Sequence, residues 1–133
     1  FFQMLPTVRR YSQSALYSQM NNTDAFAQIM LRPRAGVTLR LDWHRVALAS
    51  GRDSWYSGSG ATQGRGTIFG FSTRPSFDAK HLATLGEGST DYVISPHWSV
   101  TGYLGIARGG RVVAPAFAGR TLKFAYVENA IQF

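Results

Sequence analysis

Residues 37–44 alternate without a fault: Val37, Leu39, Leu41 and Trp43 fall in one phase, and Thr38, Arg40, Asp42 and His44 in the other. A period of two sends the two sets to opposite faces of an extended strand, whereas a helix would scatter them around its circumference. A strand with one apolar and one charged face is therefore predicted over residues 37–46, and each face needs its own environment.

The same period recurs along the chain. Over residues 25–31, Ala25, Ala27, Ile29 and Leu31 alternate with Phe26, Gln28 and Met30, with Asp24 in the polar phase. The run Arg32-Pro33-Arg34-Ala35-Gly36 is expected to break that strand, because proline cannot donate to a ladder and glycine tolerates positive φ. A third strand is predicted over 86–95, with Thr90, Tyr92 and Ile94 opposite Glu87, Ser89 and Asp91, and a turn at Ser95-Pro96-His97. A fourth is predicted over 99–107, with Val100, Leu104 and Ile106 on one side, ended by Arg108-Gly109-Gly110. The last runs to the terminus, with Ala125, Val127, Ile131 and Phe133 opposing Glu128, Ala130 and Gln132. Residues 50–82 are rich in Gly, Ser and Arg, with only 68–71 strand-like, an unusual length without structure inside a domain. No internal repeat is visible.

Composition agrees with an all-β chain: 14 glycines, 14% aromatic and only 16% charged residues suit strands and turns. The absence of cysteine removes disulfides and thiolate metal sites. No apolar run approaches the roughly 18 residues of a spanning helix, so a membrane role has to come from a barrel or a surface contact. The chain opens on Phe1-Phe2-Gln3 without a leader-like segment and reads as a fragment. The formal charge of +7 points to an acidic partner, and all the basic residues but Lys80 and Lys123 are arginines, the side chain that grips carboxylate and phosphate with a planar fork.

Connections between the expected strands alternate short and long, the asymmetry of outer-membrane barrels with tight periplasmic turns and large extracellular loops. This reading makes 1–22, 50–83 and 109–119 extracellular loops, 23–49 and 84–108 hairpins, and 120–133 a terminal strand. Arginine at the bilayer midplane costs roughly 2–4 kcal/mol, which sends Arg40, Asp42 and His44 to the lumen. Trp43, Tyr92, Trp98 and Phe133 fall near expected strand ends, where aromatic girdles sit. A soluble β-sandwich predicts the same alternation, so the pattern alone leaves barrel and sandwich both open.

Phe2-Gln3-Met4-Leu5-Pro6-Thr7, Met20-Asn21-Asn22-Thr23-Asp24-Ala25-Phe26-Ala27-Gln28, Leu31-Arg32-Pro33 and Asp53-Ser54-Trp55-Tyr56-Ser57-Gly58, in this order and spacing, resemble the C-terminal part of the alginate-export family of outer-membrane porins. The likeness extends to Asp42, His44, Leu48-Ala49 and the closing Phe124-Ala125-Tyr126-Val127-Glu128 with Phe133, and so covers most of the chain. It implies a large monomeric barrel through which a polyuronate or another solute diffuses past a basic constriction. It also implies a terminal signal for the barrel-assembly machinery at Val127, Ile131 and Phe133. Asn129 stands where an apolar residue is usual, and Val8 where the family tends to proline.

The expected architecture is thus an antiparallel transmembrane β-barrel, here a curved open sheet of about five strands from its C-terminal part, integral to the outer membrane of a Gram-negative bacterium. Arg40, Asp42, His44, Asp24, Gln28, Glu87, Asp91 and Glu128 form the expected lumen lining, and Arg9, Arg10, Arg52, Arg65 and Arg74 are loop arginines that either reach the pore or stay in solvent against lipopolysaccharide phosphates. Asp42 and His44 beside Arg40 read as a ligand-contact patch, as a proton-sensitive pair, or as a hydrogen-bond ladder between strands. Gly60-Ala61-Thr62-Gln63-Gly64-Arg65-Gly66-Thr67 lacks the lysine of a phosphate-binding loop, and His44, His81 and His97 have no metal-ligand spacing. The expected function is non-enzymatic diffusion of an anionic polysaccharide or small anionic solute, with no cofactor or metal and no nucleic-acid partner. The alternative is a soluble carbohydrate-binding sandwich in which Trp43, Trp55 and Tyr56 stack on acidic sugars.

Overall fold

A computed structural model describes residues 20–57 and 72–133 of the 133-residue chain. Its main body is one antiparallel sheet of five strands, in the order β1 (Asn22–Arg34), β2 (Val37–Leu48), β5 (His81–Ser95), β6 (Trp98–Gly109) and β7 (Thr121–Ile131). A small two-stranded sheet, β3 (Trp55–Ser57) with β4 (Ser72–Arg74), lies in the connection between β2 and β5. The architecture is all-β and the sheet is open, so β1 and β7 each have one unpaired edge among the described residues.

Short and long connections alternate as the sequence predicts. Ala35 and Gly36 turn β1 into β2, and Pro96 and His97 turn β5 into β6, while residues 49–80 and 110–120 make the two long crossings at the opposite end. Gly36 has φ +77°, where a side chain is strained, and its Cα packs so that a Cβ would stand 2.9 Å from the Val93 carbonyl oxygen. The tight turn therefore depends on glycine at that position.

Several strand boundaries move from expectation. β1 runs through Pro33 instead of ending at Leu31, because the register slips between Leu31 and Arg34, and a bulge on an edge strand needs no donor from proline. β5 begins at His81, five residues before the sequence suggests; Leu82, Ala83 and Leu85 do not alternate because the register against β2 shifts at Leu82, between the Val46–Ala83 and Ala47–His81 pairs. β3 and β4 occupy part of the stretch expected to lack structure, while the strand-like 68–71 lies outside the described residues. β7 stops at Ile131, so Phe133 follows the strand instead of sharing its face.

The hydrophobic core sits on one face of the sheet at the long-connection end. Val46 and Leu48 of β2, Leu82, Ala83 and Leu85 of β5 and Ala107 of β6 are covered by Trp55 of β3 and by Val112 from the last long connection. Gly110 brings that connection against β5: its amide donates to the Leu82 carbonyl at 2.7 Å, and the Val112 amide donates to the His81 carbonyl at 3.2 Å. A side chain at Gly110 would collide with the His81 carbonyl, so the close approach requires glycine there too.

Candidate functional site

Register partners in an antiparallel sheet share a face, so the pairing sorts every side chain of the five strands to one of two sides. One side, called inner here, carries the core just described and, beyond it, a polar wall. Asp42 pairs with Gln28 on β1 and with Glu87 on β5, Arg40 pairs with Ser89, and Thr38 pairs with Asp91. Asp91 in turn pairs with Thr101, which pairs with Glu128. All eight residues expected to line a lumen, Asp24, Gln28, Arg40, Asp42, His44, Glu87, Asp91 and Glu128, therefore occupy this one face.

Five of them form two hydrogen-bonded clusters. Gln28 Nε2 donates to Asp42 Oδ1 at 2.8 Å, and Arg40 Nε donates to Asp42 Oδ2 at 2.5 Å. His44 Nδ1 lies 2.7 Å from Asp24 Oδ2, and the His44 ring stacks on Phe26 with centroids 5.6 Å apart. Asp42, His44 and Glu87 are buried, and withdrawing a carboxylate from water is costly without hydrogen-bond partners, which Gln28 and Arg40 supply to Asp42. Asp91 is exposed and accepts from the Thr101 hydroxyl at 2.6 Å.

Asp42, His44 and Glu87 bring ligand-type atoms within 4.8 Å of one another, a trio that could hold a cation. Asp42 already has both oxygens engaged, one by the Arg40 guanidinium, whose charge opposes a metal ion beside it. The Arg40–Asp42 ion pair therefore argues against a cation at this trio. Sequence spacing could not have shown the trio, because Glu87 arrives from a strand that begins more than thirty residues after β2 ends.

Three aromatic rings that the sequence reading did not place among the lining residues stand on the same face beside these clusters. Tyr103 of β6 stacks on its register partner Tyr126 of β7 with centroids 5.0 Å apart, and Phe124 packs against both. Gly105 makes room: a Cβ there would lie 2.5 Å from the Tyr103 hydroxyl, so the ring lies across the glycine. The inner wall thus offers charged groups and flat rings side by side, the two features that bind hydroxylated, charged solutes.

The outer side is the reverse. Its first row, at the long-connection end, is Ala25, Arg45, Thr84, Arg108 and Thr121. Below it come Ala27, Trp43, Gly86, Ile106 and Lys123, then Ile29, Leu41, Gly88, Leu104 and Ala125, then Leu31, Leu39, Thr90, Gly102 and Val127. These side chains are uncovered: Leu104 is 58% exposed and Val127 72%. At the short-turn end Arg34 lies over the Tyr92 ring at 5.3 Å, with Trp98 nearby in the opposite hairpin strand. Trp43 is one row inside the cationic boundary instead of at the end of β2, which runs on to Leu48.

The loop arginines divide. Arg52 is exposed in the turn after β2, and Arg74 belongs to β4, where its guanidinium covers the Phe117 ring at 4.8 Å. Arg9, Arg10 and Arg65 lie outside the described residues. The three rings proposed for a sugar platform do not converge, since Trp43 stands on the outer face and Trp55 is buried in the inner core. No family model matches the chain, and neither the curated proteins nor the solved structures compared with it offer a match.

Proposed function

We propose that the chain is the C-terminal wall of a larger outer-membrane β-barrel of the alginate-export kind, through which a polar solute diffuses past the inner face. One observation carries this reading: a single sheet has an exposed apolar outer face bounded by cations at both ends, and a charged, hydrogen-bonded inner face. Water does not favour so continuous an uncovered apolar surface, whereas lipid does. From Arg45 to Val37 the outer face runs about 27 Å along β2, or about 21 Å across a bilayer at a tilt of about 40°, close to the height of the apolar band of such barrels.

In this arrangement residues 23–49 and 84–108 are spanning hairpins and 120–133 the terminal strand, with the segments 1–22, 50–83 and 109–119 outside the cell. The free edges of β1 and β7 pair with the remaining strands, delivered by the barrel-assembly machinery, and the full barrel works as a monomer without chemistry. Packing of Trp55 and Val112 on the inner face supports loops that fold inward and narrow the passage. The transported class, an anionic polysaccharide such as a polyuronate or a small anionic solute, rests on the family resemblance. The inner wall carries Asp24, Asp42, Glu87, Asp91 and Glu128 against Arg40, so anion preference has to be supplied by arginines elsewhere in the barrel or its loops.

The test is to express the full reading frame, isolate it from outer membranes and record planar-bilayer conductance with and without polyuronate. Discrete channels blocked by the polymer, with selectivity altered by Arg40→Ala, support the reading. A water-soluble product without conductance overturns it and favours the carbohydrate-binding sandwich.

A further inference from the structure

The outer face is not smooth. Between β5, β6 and β7 the structure has a groove of about 500 Å³ floored by Gly88, Gly102 and Ala125 and rimmed by Thr90, Leu104 and Val127. A Cβ built at Gly102 or at Gly86, one row nearer the long connections than Gly88, meets nothing within 4 Å, while one at Gly88 would come within 3.3 Å of a Leu41 methyl, so the face is open at both ends of this glycine row. Thr84, two rows beyond Gly88 toward the long connections on the same face, has Arg45 as register partner on one side and Arg108 on the other.

The three cations at that end are uncommitted. Arg45, Arg108 and Lys123 are exposed, and none has an ion-pair partner among the described residues. Arg45 and Arg108 stand two strand spacings apart, about 10 Å. Their side chains can close on one phosphate or take one each of two. Guanidinium forks supply the donors such a group needs, with the Thr84 hydroxyl, 3.3 Å from His81 Nε2, between them, and an apolar groove below supplies a bed for a hydrocarbon tail. Hydrocarbon tails are as apolar as leucine, so the groove does not choose among lipids; the head group does.

We propose that Arg45, Thr84 and Arg108, with Lys123, form a binding site for one phosphorylated glycolipid of the outer leaflet, its head-group phosphates on the arginines and one acyl chain in the groove. The inference rests on the membrane-barrel reading, which places the long connections and these cations on the outer-leaflet side. It adds a specific lipid, held at a named site, to a surface that otherwise contacts lipid in general. Charge complementarity selects the occupant, since a zwitterionic phospholipid offers the arginines a phosphate already paired with its own cation.

The experiment uses the full-length protein extracted from outer membranes in mild detergent. Lipid retention is read by native mass spectrometry after exchange into micelles doped with diphosphorylated lipid A, with its dephosphorylated form, or with phosphatidylcholine. Wild type is expected to retain one diphosphorylated lipid A, and the R45Q/R108Q double variant at least tenfold less, with heat-modifiable electrophoretic mobility unchanged in both. A Gly102→Leu variant, whose side chain enters open space, is expected to fold and to lose retention by filling the groove. Equal retention by the double variant, or equal retention of the dephosphorylated lipid, overturns the site while leaving a heat-modifiable barrel intact. A wild-type protein with no heat-modifiable form overturns the barrel reading and the site with it.

Discussion

His44 and Asp24 are diagonal neighbours, not register partners: Asp24 faces Val46 and His44 faces Phe26, yet His44 Nδ1 lies 2.7 Å from Asp24 Oδ2. The diagonal frees Phe26 to stack on the imidazole, and it ties the edge strand β1 to β2 through side chains as well as the ladder. His44 Nε2 is buried without a hydrogen-bond partner among the described residues, so the Asp24 contact is the ring's polar anchor there. Asp24→Ala should destabilise the folded sheet by about 1–3 kcal/mol, the cost of leaving a buried polar group unsatisfied. A double-mutant cycle with His44→Ala in urea unfolding should show positive coupling. Additive effects would mean that the contact contributes nothing beyond its parts.

Arg40 and Asp42 invite a sharper comparison, because the Asp42 side chain is 4% exposed and its ion pair is short. Arg40→Ala leaves the carboxylate with the Gln28 amide alone and should cost roughly 3–5 kcal/mol, whereas replacing both residues by apolar ones of similar volume should cost far less. Arg40→Lys restores charge but not the planar Nε donor and should recover only part of the loss. Denaturant midpoints for the three variants decide it: a single and a double variant of equal stability would show that the buried carboxylate does not need its arginine.

The proposed membrane exposure of the outer face makes its own demand. Leu104→Arg, in the middle row of that face, should cost about 2–4 kcal/mol in a bilayer and reduce the yield of folded protein, while Thr121→Arg, in the cationic boundary row beside Arg108, should be nearly neutral. Folding yields of the two variants into lipid vesicles measure the difference. Equal, small effects at both positions would mark the face as hydrated and argue for a soluble sandwich.

Much of this was legible in the sequence because a period of two is a local signal. Leu41 and Trp43 against Arg40, Asp42 and His44 assign two faces before any partner strand is known, and the pairing then places Gln28, Glu87, Asp91 and Glu128 with them. The early part of β5 was not legible, since the register shift against β2 at Leu82 breaks the alternation of Leu82, Ala83 and Leu85, and the Trp55 and Val112 that cover them come from distant residues. Pro33 misled for a related reason: whether proline ends a strand depends on whether the strand is an edge, which is a property of the sheet. Arg74 read as a loop charge because β4 is three residues long and exists through its pairing with β3.

Tyr56, in that small sheet, gives a prediction that depends on pH. Burial, followed by the hydrogen bond its hydroxyl donates to Asp53 at 2.9 Å and the carboxylate's negative charge, raises its pKa above the usual tyrosine value of 10.0. All three causes favour the neutral phenol, so the folded state holds this proton more tightly than the unfolded chain does. The stabilisation is complete below pH 10, and it is lost as pH rises from there through the folded-state value. Subtracting the ultraviolet titration of Tyr56→Phe from that of wild type should isolate a tyrosinate transition above pH 10. Asp53→Asn keeps an acceptor but removes the charge, so it should bring the transition down without returning it to the ordinary value, because burial remains. A Tyr56 transition at the ordinary value in the wild-type protein would mean that the phenol is solvated and the Asp53 contact is absent in solution.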